Sequence, residues 1–448
     1  MSLRQELLDK IEEPELFAWD PDELEELQLE AAREAFAERK EQIPVLARLA
    51  RENQITEVKN FHDLVPLLFS HTTYKSYPAS FVEQKRWTHL LKWLDTLSVA
   101  SVADIDIAGV DTVDDWISRL HDAGHKVLAT SGSSGKVSFL NQSVRDRELK
   151  KRHFKNTVGW PSLKPNQDRA FFSIGPHIGF NSAIEASNIQ AEIWGKPGEI
   201  HFLTDEPLLI AEVSRTAALR KRMADGSAAP DEIEEFETDA KEKAARMNKA
   251  LEQMAAKIIE HRHEPVFLAA LWAQHMMIIE RARAMGVDDG DFHPGSVVAA
   301  GGGVKGVALP PDYKEIVKRF YGDVQRPLGY GMTEMAQRMP ACEHKRYHRP
   351  PGLIMLPLDQ IGETLLTKDH AVDGVVEGRF AFLDLLFDGR WGGLISGDKV
   401  QVDFRPCPCG RPGPTILDTI TRFARPGEED HIGCAGTIDS YVRGALQS

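Results

Sequence analysis

Three stretches hold residues whose types and spacing could do chemistry. Thr130-Ser131-Gly132-Ser133-Ser134-Gly135-Lys136 packs four hydroxyls, two glycines and a cation into seven positions. Glycine lets a backbone turn tightly and approach a ligand closely. Successive N–H groups and hydroxyls in such a turn form a concave anion site, for which a phosphate is the obvious guest. The stretch is not a Walker A loop, because Thr130 stands where that pattern needs its first glycine. A plain Gly/Ser surface linker has the same composition. The second group is Cys342-Glu343-His344 with Cys407-Pro408-Cys409, which offers three thiolates and one imidazole, a donor set for Zn2+. Buried free thiols beside an exposed histidine are the competing reading. The third is His177, held in the glycine-punctuated turn from Gly175 to Phe180.

These groups need elements to position them. Lys126 to Ala129 reads as a short buried strand, and Val137 to Leu140 is apolar again, so the Ser/Gly stretch becomes the tip of a hairpin. Upstream, residues 1–60 read as helices. Pro21 opens a run from Asp22 to about Gln42, Pro44 interrupts it, and a second helix restarts with Val45, Leu46 and Leu49 inward. Further helices are expected over Gln84–Leu97 and over Val113–Ala123, the latter ending at Gly124. Downstream, Arg169–Ile174 is a buried strand that delivers His177, and Ser296–Gly303 is a strand ending in glycines. Between them, 207–222 and the charged run Asp231–Glu264 read as helices, and Pro265–Leu271 as a strand entering a helix. Helix and strand alternate from about 125 to 340, which argues for an α/β sheet. From Gly352 onward helical periodicity fades into short strands and turns.

The chain has 448 residues, of which 42% are hydrophobic and 27% charged, values of a globular protein with a sizeable core. Its formal net charge of -14 argues against nucleic-acid or anionic-membrane partners, both of which reward a basic face. No 18-residue apolar run predicts a transmembrane helix, and the acidic N-terminus lacks a signal-peptide core. Four cysteines are no disulfide framework, and a cytoplasmic location fits them.

The order of these loops resembles a known family. TSGSSGK at 130–136, His177, Gly301-Gly302-Gly303, Tyr330-Gly331-Met332-Thr333-Glu334, IGETLLT at 361–367 and ISGD at 395–398 follow one another as in the adenylate-forming superfamily of acyl-CoA synthetases. Cys407 to Arg411, followed by Ile420-Thr421-Arg422, resembles the phenylacetate-CoA ligase and bioluminescence acyl-protein synthetase branch. The resemblance covers roughly residues 60–436. It implies an α/β fold with a large N-terminal domain, helices on mixed sheets, and a small β-rich subdomain. The expected segments are 1–125 as its helical part, 126–350 as the nucleotide- and acid-binding core, 351–422 as the β-rich subdomain and 423–448 as a C-terminal extension.

The resemblance also implies roles and ligands. ATP would give acyl-adenylate and pyrophosphate, and the acyl group would then pass to a thiol or a partner protein such as a reductase or carrier, with CoA left open as acceptor. The serine loop would hold the departing phosphates, Glu334 beside Thr333 would hold Mg2+, and Tyr330 would stack on adenine. Asp398 would accept from the ribose hydroxyls, His177 would face the acid's carboxylate, and Arg422 matches the arginine at the family's hinge. The acid is expected to be aromatic or fatty. Family members carry about a hundred residues and a lysine after that hinge. Here 26 residues follow Arg422, with no lysine among them, so the C-terminal lid is expected to be missing or vestigial. Cys434, the remaining cysteine, is a candidate acyl acceptor with nothing local to activate it. A full acyl-CoA ligase and a catalytically idle nucleotide-binding scaffold are the alternatives. The oligomeric state stays open.

Overall fold

The computed structural model describes residues 2–13, 15–131, 136–301 and 309–424. Gly132, Ser133, Ser134, Gly135, Gly302, Gly303 and Cys434 lie outside the described residues. The chain forms two compact units, residues 1–157 with 329–448, and residues 158–328.

The first unit begins with α1 (Leu3–Asp9), α2 (Pro21–Gln42) and α3 (Pro44–Glu52). The Asp20 side chain accepts the Asp22 and Glu23 N–H groups, and Pro21 occupies the first turn, where no N–H is needed. Pro44 ends that ladder and starts the next helix, burying Val45, Leu46 and Leu49 as the spacing predicts. Strand β1 (Phe69–Ser70) is followed by α4 (Ser80–Glu83), α5 (Trp87–Asp95) and α6 (Val113–Asp122). Thr112 and Asp115 close a capping box on α6, and Gly124 follows with φ +90°, a conformation that favours glycine. Then β2 (Leu128–Ser131) pairs antiparallel with β3 (Val137–Leu140), the hairpin expected around the Ser/Gly stretch, and α7 (Val144–Thr157) leaves the unit.

The second unit is a parallel α/β layer of β4 (Arg169–Pro176), α8 (Ser182–Trp194), β5 (Gly195–Thr204), α9 (Ile210–Asp225), α10 (Pro230–Glu260), β6 (Val266–Leu271), α11 (Trp272–Ala284), β7 (Val297–Gly301) and α12 (Tyr313–Tyr321). The strand order is β5-β4-β6-β7, all parallel. Phe172, Leu268 and Val298 from three of its strands share a core with Ile278, Ile279 and Phe320 of the helices. The order reverses direction between β4 and β6, the point at which open α/β sheets leave a crevice at the carboxyl ends of their strands.

The chain then returns to the first unit with β8 (Gly329–Tyr330), β9 (Met339–Pro340), β10 (Tyr347–His348), β11 (Leu353–Leu358), β12 (Val375–Asp384), β13 (Gly393–Asp403), β14 (Thr415–Ile416) and β15 (Thr421–Arg422). β13 is the spine of a seven-stranded sheet. It pairs with β12, β14 and β15 antiparallel and with β1 parallel, Phe69 opposite Leu394 and Ser70 opposite Ile395. The fold is α/β, with a separate β-rich sheet, as the sequence pattern implies. Among the described residues, no helix is long and apolar enough to cross a membrane.

Candidate functional site

In the first unit, strand register brings several motif residues together. Asp398 of β13 lies opposite Arg422 of β15, and the Arg422 Nε is 3.2 Å from the Asp398 Oδ1. The Tyr330 hydroxyl donates to the other oxygen, Asp398 Oδ2, at 2.8 Å. The Tyr330 ring is buried, with Phe380 at 5.2 Å and Tyr347 at 6.0 Å between centroids. Burial and the neighbouring Asp398 carboxylate hold the phenol well above its ordinary pKa, so it stays a donor. A carboxylate has about four lone-pair sites, so Asp398 keeps acceptor capacity beyond these two contacts.

Glu334 sits four residues past Tyr330, in the turn where the Met335 N–H donates to the Met332 carbonyl at 3.0 Å. Thr333 and Met332 are half-buried and Gly331 is exposed. Burial pushes the Glu334 carboxyl up. Its own backbone N–H and the charges of Arg390 and Arg422 pull it down, and Asp398 adds an upward push. Burial is thus the main reason the Glu334 carboxyl is raised, with the Asp398 charge adding to it.

The Ser/Gly hairpin is fixed from below. Thr130 pairs with Ser138 and Ser131 with Val137. The Tyr77 hydroxyl donates to the Val137 carbonyl at 2.8 Å, while the Lys136 ammonium donates to the Tyr77 carbonyl and lies 4.6 Å above the Tyr77 ring. In this conformation Lys136 is directed at Tyr77.

His177 and Gly301 belong to the second unit. Both follow carboxyl ends of parallel strands, His177 just after β4 at the reversal point and Gly301 at the last position of β7. The His177 Nδ1 lies 3.4 Å from the Asp205 Oδ1, its ring centroid is 5.1 Å from that of Phe202, and its carbonyl accepts from Asn188 at 2.9 Å. A Cβ added at Gly301 would meet nothing within 4 Å among the described residues.

The cysteine site differs from the expectation in one ligand. Cys342, His348, Cys407 and Cys409 bring one donor atom each to within 4.8 Å of one another. The Cys342 and Cys407 sulfurs are 3.7 Å apart, and Cys409 Sγ is 3.5 Å from His348 Nε2. A 3.7 Å gap is no disulfide, whose sulfurs sit about 2.05 Å apart. It is the edge of a tetrahedron with roughly 2.3 Å Zn–S bonds. Three of the four residues are buried. Burial, with Arg411 nearby, pushes His348 down to about 4, keeping the imidazole neutral as a ligand requires. Burial and the neighbouring thiols push Cys407 up to about 12. Cys409 is also pushed up by burial, but hydrogen bonds from Arg411 outweigh this and lower it overall.

His344, the imidazole expected from sequence, is outside this group. It is 46% exposed beside Glu343. Cys342 N–H donates to the Arg346 carbonyl, and Ala341 bridges Tyr347, so 343–346 is a hairpin tip and the chain doubles back. The return strand puts His348 beside the sulfurs. The charged run Glu343-His344-Lys345-Arg346 was the available sign that this stretch is a solvated tip.

No protein-family model matches the chain, and none of the curated proteins matches it. Among solved structures it is similar to ATP-bound MatB from Rhodopseudomonas palustris, with 13% identity, 65% of this chain and 47% of that chain covered, and TM-score 0.38. It is similar to o-succinylbenzoate coenzyme A synthetase (MenE) from Bacillus subtilis in complex with AMP, with 12% identity, coverage of 65% and 48%, and TM-score 0.35. The luciferase-like enzyme of the nonluminescent Zophobas morio mealworm gives 10% identity, coverage of 66% and 56%, and TM-score 0.37. The chain spans about half the length of these structures.

Proposed function

We propose that this chain activates a carboxylic acid by adenylation with ATP, and that the acid is aromatic or fatty. The observation that carries the reading is the group formed by Tyr330, Asp398 and Arg422, with the Glu334 carboxyl within reach of the same charges. These residues come from motifs up to 92 positions apart. The register of β13 with β15 joins Asp398 to Arg422, and the Tyr330 hydroxyl reaches the same carboxylate. Asp398 is suited to the ribose hydroxyls and Tyr330 to the adenine. Glu334 offers the hard oxygen that Mg2+ prefers, and the ion when bound would offset charge on the phosphates.

In the reaction, an oxygen of the acid's carboxylate attacks the α-phosphorus. The bond from that phosphorus to the bridging oxygen breaks, and pyrophosphate leaves with the electron pair. Backbone N–H groups and hydroxyls of the Ser/Gly hairpin would steady those oxygens. His177 would orient the carboxylate. A thiol then attacks the acyl carbon and AMP departs. The acceptor is CoA or a thiol of a partner protein.

A structural Zn2+ on Cys342, His348, Cys407 and Cys409 belongs to the same proposal. The donor distances support it, and four protein ligands leave no open position for catalysis.

Acid-dependent ATP–pyrophosphate exchange tests the function, with hydroxamate trapping to identify the acid. Exchange with an aromatic or fatty acid is expected. ATP binding with no exchange across the panel replaces the reading by an idle nucleotide-binding scaffold. Free CoA thioester from the chain alone makes it a full acyl-CoA ligase.

A further inference from the structure

Arg390 has no place in any of the motifs above, yet it is 1% exposed and among the largest fully buried side chains. It forms no ion pair with a carboxylate among the described residues. Its guanidinium lies 3.6 Å over the Phe387 ring and 5.5 Å from that of Tyr74. A buried charge is costly, and an apolar residue of similar volume is often as stable or more so. What an apolar residue could not supply is a pair of donors in a rigid fork. Arg390 uses both arms. Nη1 donates to the Asn141 carbonyl at 3.1 Å and Nη2 to the Glu334 carbonyl at 2.9 Å.

The two acceptors matter by position. Asn141 is the first residue after β3, the strand that leaves the Ser/Gly hairpin. Glu334 is the candidate metal carboxylate. The segment carrying Arg390 is itself locked to the hairpin's exit. The buried Asp146 carboxylate accepts the N–H groups of Asp388 and Gly389 as well as that of Ser143. A Cβ at Gly389 would come within 2.7 Å of Gln142 C and Ser143 N, so backbone meets backbone there. Three residues after Arg390, β13 begins and leads to Asp398.

We propose that Arg390 is a positioning residue that holds the end of β3 and the Glu334 turn at one fixed spacing, so that the segments proposed to serve the phosphates and the cation act on the same nucleotide. This rests on the adenylation reading. Through the spacing it sets, Arg390 contributes to binding the triphosphate and its cation, and not to binding the nucleoside.

Arg390→Lys keeps the charge but replaces the rigid two-armed fork with a single ammonium, which cannot reproduce both contacts in the same geometry. Calorimetry with AMP and with MgATP is the first measurement. MgATP affinity should fall roughly tenfold, as for the loss of one charge-assisted hydrogen bond, while AMP affinity stays within about twofold. Equal losses for both nucleotides, or none, overturn the proposal. The second measurement needs no ligand and no variant. Native-state hydrogen exchange of the wild type in rising urea should place 137–142, 334–337 and 388–391 on one opening transition. Separate transitions overturn the proposal even if Arg390→Lys does not fold. A wild type that binds neither nucleotide removes the adenylation reading, and the exchange result still decides whether Arg390 joins the segments.

Discussion

The two units place their candidate residues by opposite means. In the first, Asp398, Arg422 and Tyr330 are joined side chain to side chain because antiparallel register sets 398 opposite 422 and the β8 tyrosine reaches the same carboxylate. In the second, the parallel sheet is apolar within, and only the ends of its strands can carry chemistry. His177 and Gly301 sit at such ends, two strands apart in the order β4-β6-β7. The Asp205 partner of His177 is 95% exposed on its side chain. One region is therefore organised in advance by its own hydrogen bonds. The other presents groups at the carboxyl ends of its strands, where the His177 partner Asp205 is itself exposed.

If that contrast is right, substitutions in the first unit should disturb binding and local structure together. The largest effect is expected at the cysteine group. Elemental analysis of protein prepared without chelator should find about one Zn per chain, and Cys407→Ser should reduce this to near zero. Hydrogen exchange should then quicken in 341–348 and 407–416. Metal-free wild type with the same exchange pattern would leave the sulfurs as packed thiols. Next in size is Asp398→Asn. It weakens the contact to Arg422 and the acceptor offered to ribose, and should cost about 2–4 kcal/mol in ATP affinity, roughly 30- to 1000-fold. A calorimetric titration with unchanged affinity in the folded variant would break the first half of the comparison.

Each unit also buries a neutral histidine, and acid should reveal both. His153 in the first unit donates to the Arg338 carbonyl at 2.9 Å and is pushed down to about 3 by burial. His275 in the second lies 3.1 Å from the Tyr321 hydroxyl and is pushed down to about 4 by burial. Both folded values lie below the unfolded value of about 6.5. The folded state therefore binds fewer protons in that window. The stability these histidines contribute is whole above about 6.5 and is lost as pH falls toward 4, by about 1.4 kcal/mol per pH unit for each. Asp146 and Glu334 act with the opposite sign, because burial raises them. The difference between wild type and His275→Gln isolates the histidine. Urea midpoints should fall less steeply with acid in the variant, and parallel curves would show that His275 does not titrate on unfolding.

Sequence made some of this legible and hid the rest for definite reasons. The helix starts at Pro21 and Pro44, the α6 cap and the β2–β3 hairpin rest on local chemistry, and local chemistry is what a sequence displays. β5 escaped because it is an edge strand, exposed or half-buried along most of its length and interrupted by Pro197 and Gly198, so it has no apolar run. The pairing of Phe69 with Leu394 joins positions over 300 residues apart and leaves no local mark. Tyr330, Glu334, Asp398 and Arg422 were found by motif order, while their grouping depends on the pairing of β13 with β15 and on the side-chain bond from Tyr330, neither of which is local in sequence. His344 stands two residues from Cys342 in sequence, whereas His348 joins the sulfurs only because the chain doubles back at 343–346. Arg390 belongs to no motif, and its role lies in two backbone carbonyls.

The smallest expected effect tests the second unit. The His177 side chain is 36% exposed, and its ring lies at a strand end beside Phe202 and Asp205. His177→Ala should therefore change unfolding stability by no more than about 0.5 kcal/mol, the usual range for a position free of core or cap roles. ATP affinity should not move, since the nucleotide contacts proposed above lie in the other unit. What should change is the acid. If His177 orients the carboxylate, the acid's KM in pyrophosphate exchange should rise roughly tenfold, as for one lost hydrogen bond to a charged group, and His177→Gln should recover part of it. A stability loss above about 1 kcal/mol with unaltered acid KM would make His177 a structural residue of the β4 end. The contrast between the units would then rest on the first unit alone.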